Sequence, residues 1–232
     1  MSQHIGIVAC SAEGAALCYR TICVEGADLL GRYNHPEVTM HTFPLSQYTG
    51  YFEAGDWDGV AGLMLSSTEK LAKVGADFAV CPDNTIHQAF DLFIEKSPIP
   101  WLHIADEVVA EAKRQNYSRL AILGTRFLME GPVYATKLTA TDIEYMIPEA
   151  EDRERINDII FNELVNGRFS SAARDYFNRV IDNLKRQGCD AVVLGCTEIP
   201  LLITSQISPL PTLDSTRLLA RAALSKAVEI NP

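Results

Sequence analysis

Two stretches of this chain end an apolar run on an ionisable side chain followed by hydrogen-bonding residues. In DAVVLGCTEIP, residues 190–200, the run meets Cys196, then Thr197 and Glu198; in GADFAVCPDNT, residues 75–85, it meets Asp83, then Asn84 and Thr85. The two align without a gap: Gly75 matches Gly188, Asp77 matches Asp190, Asp83 matches Cys196 and Asn84 matches Thr197. Each follows an amphipathic segment. This pattern reads as an internal repeat, two related α/β halves that each carry one ionisable group from a strand end to a helix start. Asn84 and Thr197 are good N-cap types. The free N–H groups of such helix starts hold carboxylates, and a thiol placed there ionises more readily. Asp83 and Cys196 acting on opposite faces of one carbon are what a cofactor-free racemase or epimerase needs: one group removes the α-proton and the other delivers a proton from the far side. The plainer reading of Gly-Cys-Thr-Glu is a tight turn with a buried cysteine. The doubled context and the polar neighbours favour a site.

The elements that position these groups are legible from hydrophobic periodicity. Strand-like runs occupy 4–10, 37–43, 76–82, 99–104, 119–125, 143–148 and 191–196. Between most of them lie helical patterns. Segment 57–74 puts Val60, Leu63, Met64, Leu71 and Val74 on one stripe, and segment 170–187 does the same with Ala173, Phe177, Val180, Ile181 and Leu184. Alternation of apolar strands with helices predicts an α/β fold with parallel sheets covered on both faces. Ligands of such folds bind beyond the carboxyl ends of the strands. Ser11, Pro44–Gln47, Asp83–His87, Thr125–Arg126 and Cys196–Glu198 are therefore the residues to inspect.

The bulk numbers exclude several classes. The 232 residues are 47% hydrophobic and 22% charged, with a formal net charge of −10 and scattered Lys and Arg. An acidic chain without a basic patch is no match for nucleic acid or an anionic membrane. No apolar run approaches the roughly 18 residues of a membrane span. The opening MSQHIGIVACS has no basic segment ahead of its apolar run, which predicts a cytoplasmic protein with reduced thiols. The six cysteines form no CxxC pair and no Cys/His cluster of zinc spacing, so no metal is expected. Cys18, Cys23 and Cys189 read as small apolar core residues. ACSAEGAA after the first strand is not a dinucleotide fingerprint, so no cofactor is expected.

Several further residues admit two readings. Ser11 either donates to a substrate carboxylate or caps the helix starting near Glu13. His87 is either a proton relay behind the site or a packing histidine. Glu198 orients Cys196 or the substrate amine, or simply favours a helix start through the dipole. Gln47 and Tyr48 are placed at the mouth of a pocket, Trp57 is structural, and EAEDRE at 149–154 is a solvated helix start.

NTIH at 84–87 and LGCTEIPLLI at 194–203 resemble the signature stretches of the aspartate/glutamate racemase family, with weaker likenesses along nearly the whole chain, including the GT…Y of 124–134. The resemblance implies two Rossmann-like parallel-sheet domains related by pseudo-symmetry, with the active site between them. It divides the chain into residues 1–108, completed by a C-terminal helix at 213–232, and residues 109–212. It further implies a homodimer that racemises an amino acid without cofactor. The residues after the strand ends placed to hold such a small carboxylate substrate are Ser11, Gln47, Asn84, Thr85, Thr125, Thr197 and Glu198. The departures are informative. Many members carry Cys where this chain has Asp83, and Cys81 lies two residues too early to replace it. Typical aspartate racemases also offer an Arg after the second strand and a Lys before a later Gly. The corresponding PLSQYT (44–49) and ELVNG (163–167) have no cation, and a Thr of the third loop becomes Leu128. Arg126 is the nearby cation that could substitute. An extra carboxylate with fewer cations disfavours a dianionic substrate. The rival readings are a decarboxylase or isomerase of a small carboxylic acid on the same scaffold, and a catalytically silent ligand-binding domain.

Overall fold

The computed structural model describes residues 2–228. The chain divides into two compact units, Met1–Ile104 with Thr216–Pro232, and Ala105–Ser215. The first unit opens with β1 (Ile5–Ala9), α1 (Ala12–Leu30), β2 (Val38–Thr42), α2 (Leu45–Glu53), α3 (Trp57–Lys73) and β3 (Phe78–Val80). A 3₁₀ turn at Thr85–Ala89, the short α4 (Phe90–Phe93) and β4 (Trp101–Leu102) follow, and α5 (Ile104–Arg114) crosses into the second unit. There the order is β5 (Arg119–Leu123), α6 (Arg126–Glu130), α7 (Pro132–Thr139), β6 (Glu144–Met146), α8 (Ala150–Asn162), α9 (Ser171–Arg186), β7 (Ala191–Leu194), α10 (Ile199–Leu202) and β8 (Thr212–Asp214). The last helix, α11 (Ser215–Val228), returns the chain to the first unit.

Each unit holds one four-stranded parallel sheet, and the two sheets repeat one topology: β2-β1-β3-β4 and β6-β5-β7-β8. This is the α/β fold expected from the alternating pattern. In the first unit, Ile5, Ile7, Phe78 and Val80 pack with Cys18 and Ile22 of α1 and with Leu219, Ala220 and Ala223 of α11. In the second, Leu123, Val192 and Leu194 pack with Ile156, Ile159 and Ile160 of α8 and with Phe177, Val180, Ile181 and Leu184 of α9. All five stripe residues expected on α9 are buried; on α3 Val74 lies beyond the last turn and is exposed, while Ser67 and Thr68 join the buried face.

The repeat extends to individual hydrogen bonds. Gly75 and Gly188 adopt φ of 92° and 98°, a left-handed conformation that suits glycine after a helix. Around them Gly75 N–H donates to Ala72 and Ala76 N–H to Leu71, and Gly188 N–H donates to Lys185 and Cys189 N–H to Leu184, with N···O of 3.0–3.1 Å. The next residue, Asp77 or Asp190, latches its strand to the start of the neighbouring one. Asp77 Oδ2 accepts from His4 N at 2.7 Å; Asp190 accepts from Ser118 N at 2.7 Å and Arg119 N at 3.1 Å.

Three expectations need correction. Residues 213 and 214, expected to open the last helix, belong to β8; only Leu213 is apolar in that three-residue strand, too little for a periodic signal. The helix then runs from Ser215 to Val228, and 229–232 lie outside the described residues. Cys23 is half-buried rather than a core residue, whereas Cys18 and Cys189 are buried. The acidic run at 149–154 does more than meet solvent: Arg153 binds Glu130, Glu154 binds Arg126, and Asp152 accepts from Tyr176 Oη.

Candidate active site

In both sheets the strand order reverses between the first and third strands, β1 and β3 in one unit and β5 and β7 in the other. Outside the carboxyl ends of such a pair the flanking loops part, and open α/β sheets bind ligands there. The residues that follow those four ends are Ser11, Asp83, Thr125 and Cys196.

In the first unit, Ser11 caps α1, its Oγ accepting from Gly14 N at 3.3 Å. This is one of the two readings open for Ser11. Asp83 is half-buried, and its Oδ1 stands 3.5 Å from Ile86 N. Asn84 and Thr85 are buried beside it, but Asn84 makes no side-chain cap, and the turn it opens is 3₁₀ rather than a regular helix start. The Asp83 main chain is held instead by His87, whose Nδ1 lies 2.6 Å from the Asp83 carbonyl oxygen. A carbonyl only accepts, so Nδ1 carries the proton. Nε2 is left as an acceptor, and Ile104 N–H points at it from 3.5 Å. The ring is buried against His103 and Phe90. His87 is thus a brace for the Asp83 loop.

On α2 the two expected mouth residues part company. Gln47 is exposed, whereas Tyr48 is fully buried, and its hydroxyl finds no hydrogen-bond partner of good geometry among the described residues. Burial, then the proximity of Cys81, Cys10 and Asp83, holds the Tyr48 phenol well above its usual range, so it stays protonated. Helical spacing accounts for the difference: adjacent helix residues point about 100° apart, so the two side chains cannot share one environment. Cys81 is fully buried; burial first, and the Asp83 charge second, raises its thiol well above 9.0.

In the second unit, Thr125 caps α6, its Oγ1 accepting from Leu128 N at 3.2 Å. Gly124 and Gly195 close the ends of β5 and β7 over Leu128. A Cβ on Gly195 would lie 2.5 Å from Leu128 Cδ2 and 2.8 Å from Leu123 O. A side chain at 195 would therefore force the turn that presents Cys196 to shift. Ser215, which sequence reading missed, donates its hydroxyl to Leu194 O at 2.8 Å just ahead of that turn.

Cys196, Thr197 and Glu198 form one buried cluster. Cys196 Sγ lies 3.0 Å and Thr197 Oγ1 2.9 Å from the same oxygen, Glu198 Oε2. Thr197 does not cap a helix, and α10, only four residues long, has Glu198 at its N-cap without a side-chain cap. The expected helix dipole acting on the thiol is therefore a single turn, and the sulfur lies against the Glu198 carboxyl group. Of the readings open for Glu198, contact with Cys196 is the one observed. Arg126 is turned to Glu154, with Nε 3.6 Å from Oε1. Among the described residues there is no group of three His, Cys, Asp or Glu able to hold a metal ion, and no helix long and apolar enough to cross a membrane.

The model of the Asp/Glu/Hydantoin racemase family matches residues 8–223. The chain belongs to this family. Among curated relatives, the broad specificity amino-acid racemase RacX of Bacillus subtilis (strain 168) is 21% identical over 192 residues, 83% of this chain and 82% of the relative. A crystal structure of a Yersinia pestis protein assigned to the Asp/Glu racemases superposes with a TM-score of 0.88 at 32% identity, covering 98% of this chain and all of that one. An aspartate racemase homologue from Pyrococcus horikoshii OT3 superposes with a TM-score of 0.83 at 25% identity, covering 99% and 100%. Membership in the racemase family accounts for the two-domain α/β fold.

Proposed function

We propose that this chain is a racemase or epimerase acting at the α-carbon of an amino acid without a cofactor, with Asp83 and Cys196 as the proton-transfer pair. The observation that carries the reading is the repeat: Asp83 and Cys196 occupy equivalent positions after the third strand of two sheets of identical topology. In one direction the Asp83 carboxylate takes the α-proton and the Cys196 thiol gives its proton to the opposite face. Asp83 is then left protonated and Cys196 as thiolate, and the reverse reaction starts from that state. The resting pair is Asp83 ionised and Cys196 protonated. A thiolate at Cys196 would set a second negative charge 3.0 Å from the Glu198 carboxylate, which like-charge repulsion opposes.

The substrate side chain is uncharged in this reading. Arg126, the cation that could meet a second carboxylate, faces Glu154, and Leu128, packed against Gly124 and Gly195, stands where typical aspartate racemases have Thr. RacX, a relative of broad specificity, is consistent with such a pocket. The test is an exchange screen. Protein treated exhaustively with chelator is incubated in deuterated water with acidic, basic and neutral amino acids. Deuterium is expected at Cα, fastest for neutral side chains. Activity that returns only on addition of a metal or pyridoxal phosphate contradicts the proposal, as does carbon dioxide release from a malonate without α-exchange.

A further inference from the structure

Glu198 is a buried carboxylate satisfied on one side only. Its residue is 2% exposed, Oε2 accepts from both Cys196 and Thr197, and Oε1 has no hydrogen-bond partner among the described residues. Oε2 already accepts twice, so a further donor must come to Oε1. Leaving the other oxygen of a buried carboxylate unpaired is costly, more so than for a neutral group. A group retained at that cost points to a donor that arrives with the ligand. No described residue donates to Oε1, and Arg126, the cation that follows Thr125, faces Glu154, with Nε 3.6 Å from its Oε1.

The distances define what that donor is. A reacting α-carbon sits about 3–3.5 Å from the group that exchanges its proton. A nitrogen bonded to that carbon lies about 1.5 Å further on. With Sγ already 3.0 Å from Oε2, an α-nitrogen on a carbon next to Cys196 falls within hydrogen-bonding reach of the same carboxylate. We propose that Glu198 Oε1 receives the α-ammonium group of the substrate, and that this contact selects amino acids over 2-hydroxy acids of the same shape. The inference rests on the racemase reading and names the residue that recognises the amine. It also has a chemical consequence. A carboxylate partner keeps the nitrogen protonated, and the positive charge beside the α-carbon stabilises the carbanion left when the α-proton departs.

The test compares alanine with lactate, which differ only in the ammonium and hydroxyl groups, as protectants of Cys196 against iodoacetamide in the whole protein. Cys196 keeps 9% exposure, and mass spectrometry reads its labelling separately from that of the other cysteines. In wild type, alanine is expected to protect at concentrations at least about tenfold lower than lactate, since a site built for a polar group rejects the analogue that lacks it. In Glu198→Gln that ratio should collapse towards one. Glu198→Asp, which keeps the charge but draws it back, should retain part of the preference and guards against a misfolded amide variant. A base acting on the thiol alone would change the ligand-free labelling rate in Glu198→Gln without changing the alanine-to-lactate ratio. Equal protection in wild type, or an undiminished ratio in Glu198→Gln, overturns the ammonium contact while α-exchange still supports a racemase. Absence of both protection and α-exchange for every amino acid overturns the racemase reading itself, and the contact with it.

Discussion

Asp83 and Cys196 differ in environment as sharply as in chemistry. Asp83 is half-buried on a loop braced by His87, whereas Cys196 is buried against the Glu198 carboxyl group, which also accepts from Thr197 Oγ1. Cys196→Ala is expected to lower α-exchange by about 10²–10⁴-fold, the usual worth of a placed acid or base. It should keep the fold, because losing one sulfur leaves a modest cavity. Cys81→Ala should keep most activity, since its thiol is fully buried and held protonated. Kinetics on the two purified variants with matched circular dichroism spectra check this pair, and equal loss in both would misplace the site. The ionisable residues were legible because they interrupt apolar runs at matching places. Their partners were less so. Nothing in NTIH says that His87 bonds the main chain of Asp83 rather than relaying a proton, because that depends on a turn tightening to 3₁₀ geometry. The Cys196–Glu198 contact likewise depends on α10 starting at Ile199 and not at Thr197.

At the scale of elements, the strands and long helices follow directly from apolar periodicity, and the weak points are short pieces. β8 has three residues and one apolar side chain, and Tyr48 faces inward on a nine-residue helix whose mean pattern is indistinct. The latch residues, by contrast, were visible as matched aspartates before their role was known. Asp190 accepts from Ser118 N, Ser118 Oγ and Arg119 N, and Asp77 accepts from His4 N. Asp190→Ala leaves more amide and hydroxyl donors unpaired and is expected to destabilise by about 1–3 kcal/mol, more than Asp77→Ala. Urea denaturation of the two variants measures the difference. Gly195→Ala is expected to cost a similar ~1–3 kcal/mol by overpacking. The added Cβ meets Leu123 O as well as Leu128 Cδ2, so Leu128→Ala should relieve only part of that cost in the double variant.

For the molecule as a whole, buried thiols set a limit at alkaline pH. Burial pushes the Cys18 thiol from 9.0 up to about 12, and Cys81 is raised well above 9.0. Unfolded thiols ionise near about 8.5. Above that pH the unfolded chain binds fewer protons than the folded one, so the stability these groups contribute is complete below about 8.5 and falls as pH rises towards the folded values. The melting temperature should therefore drop between about pH 8 and about pH 10, and Cys18→Ala should flatten the drop even though it starts lower. The central claim concerns two unlike acids serving one carbon, and initial α-deuterium incorporation from each pure enantiomer of one amino acid tests it most directly, in wild type, Asp83→Ala and Asp83→Cys. With Asp83 ionised and Cys196 protonated at rest, one enantiomer should exchange clearly faster than the other, although the equilibrium constant stays near one. Asp83→Ala should abolish the fast direction, and Asp83→Cys should narrow the gap. Equal initial rates in wild type, or unchanged exchange in Asp83→Ala, would contradict a two-residue mechanism and leave Cys196 to act alone.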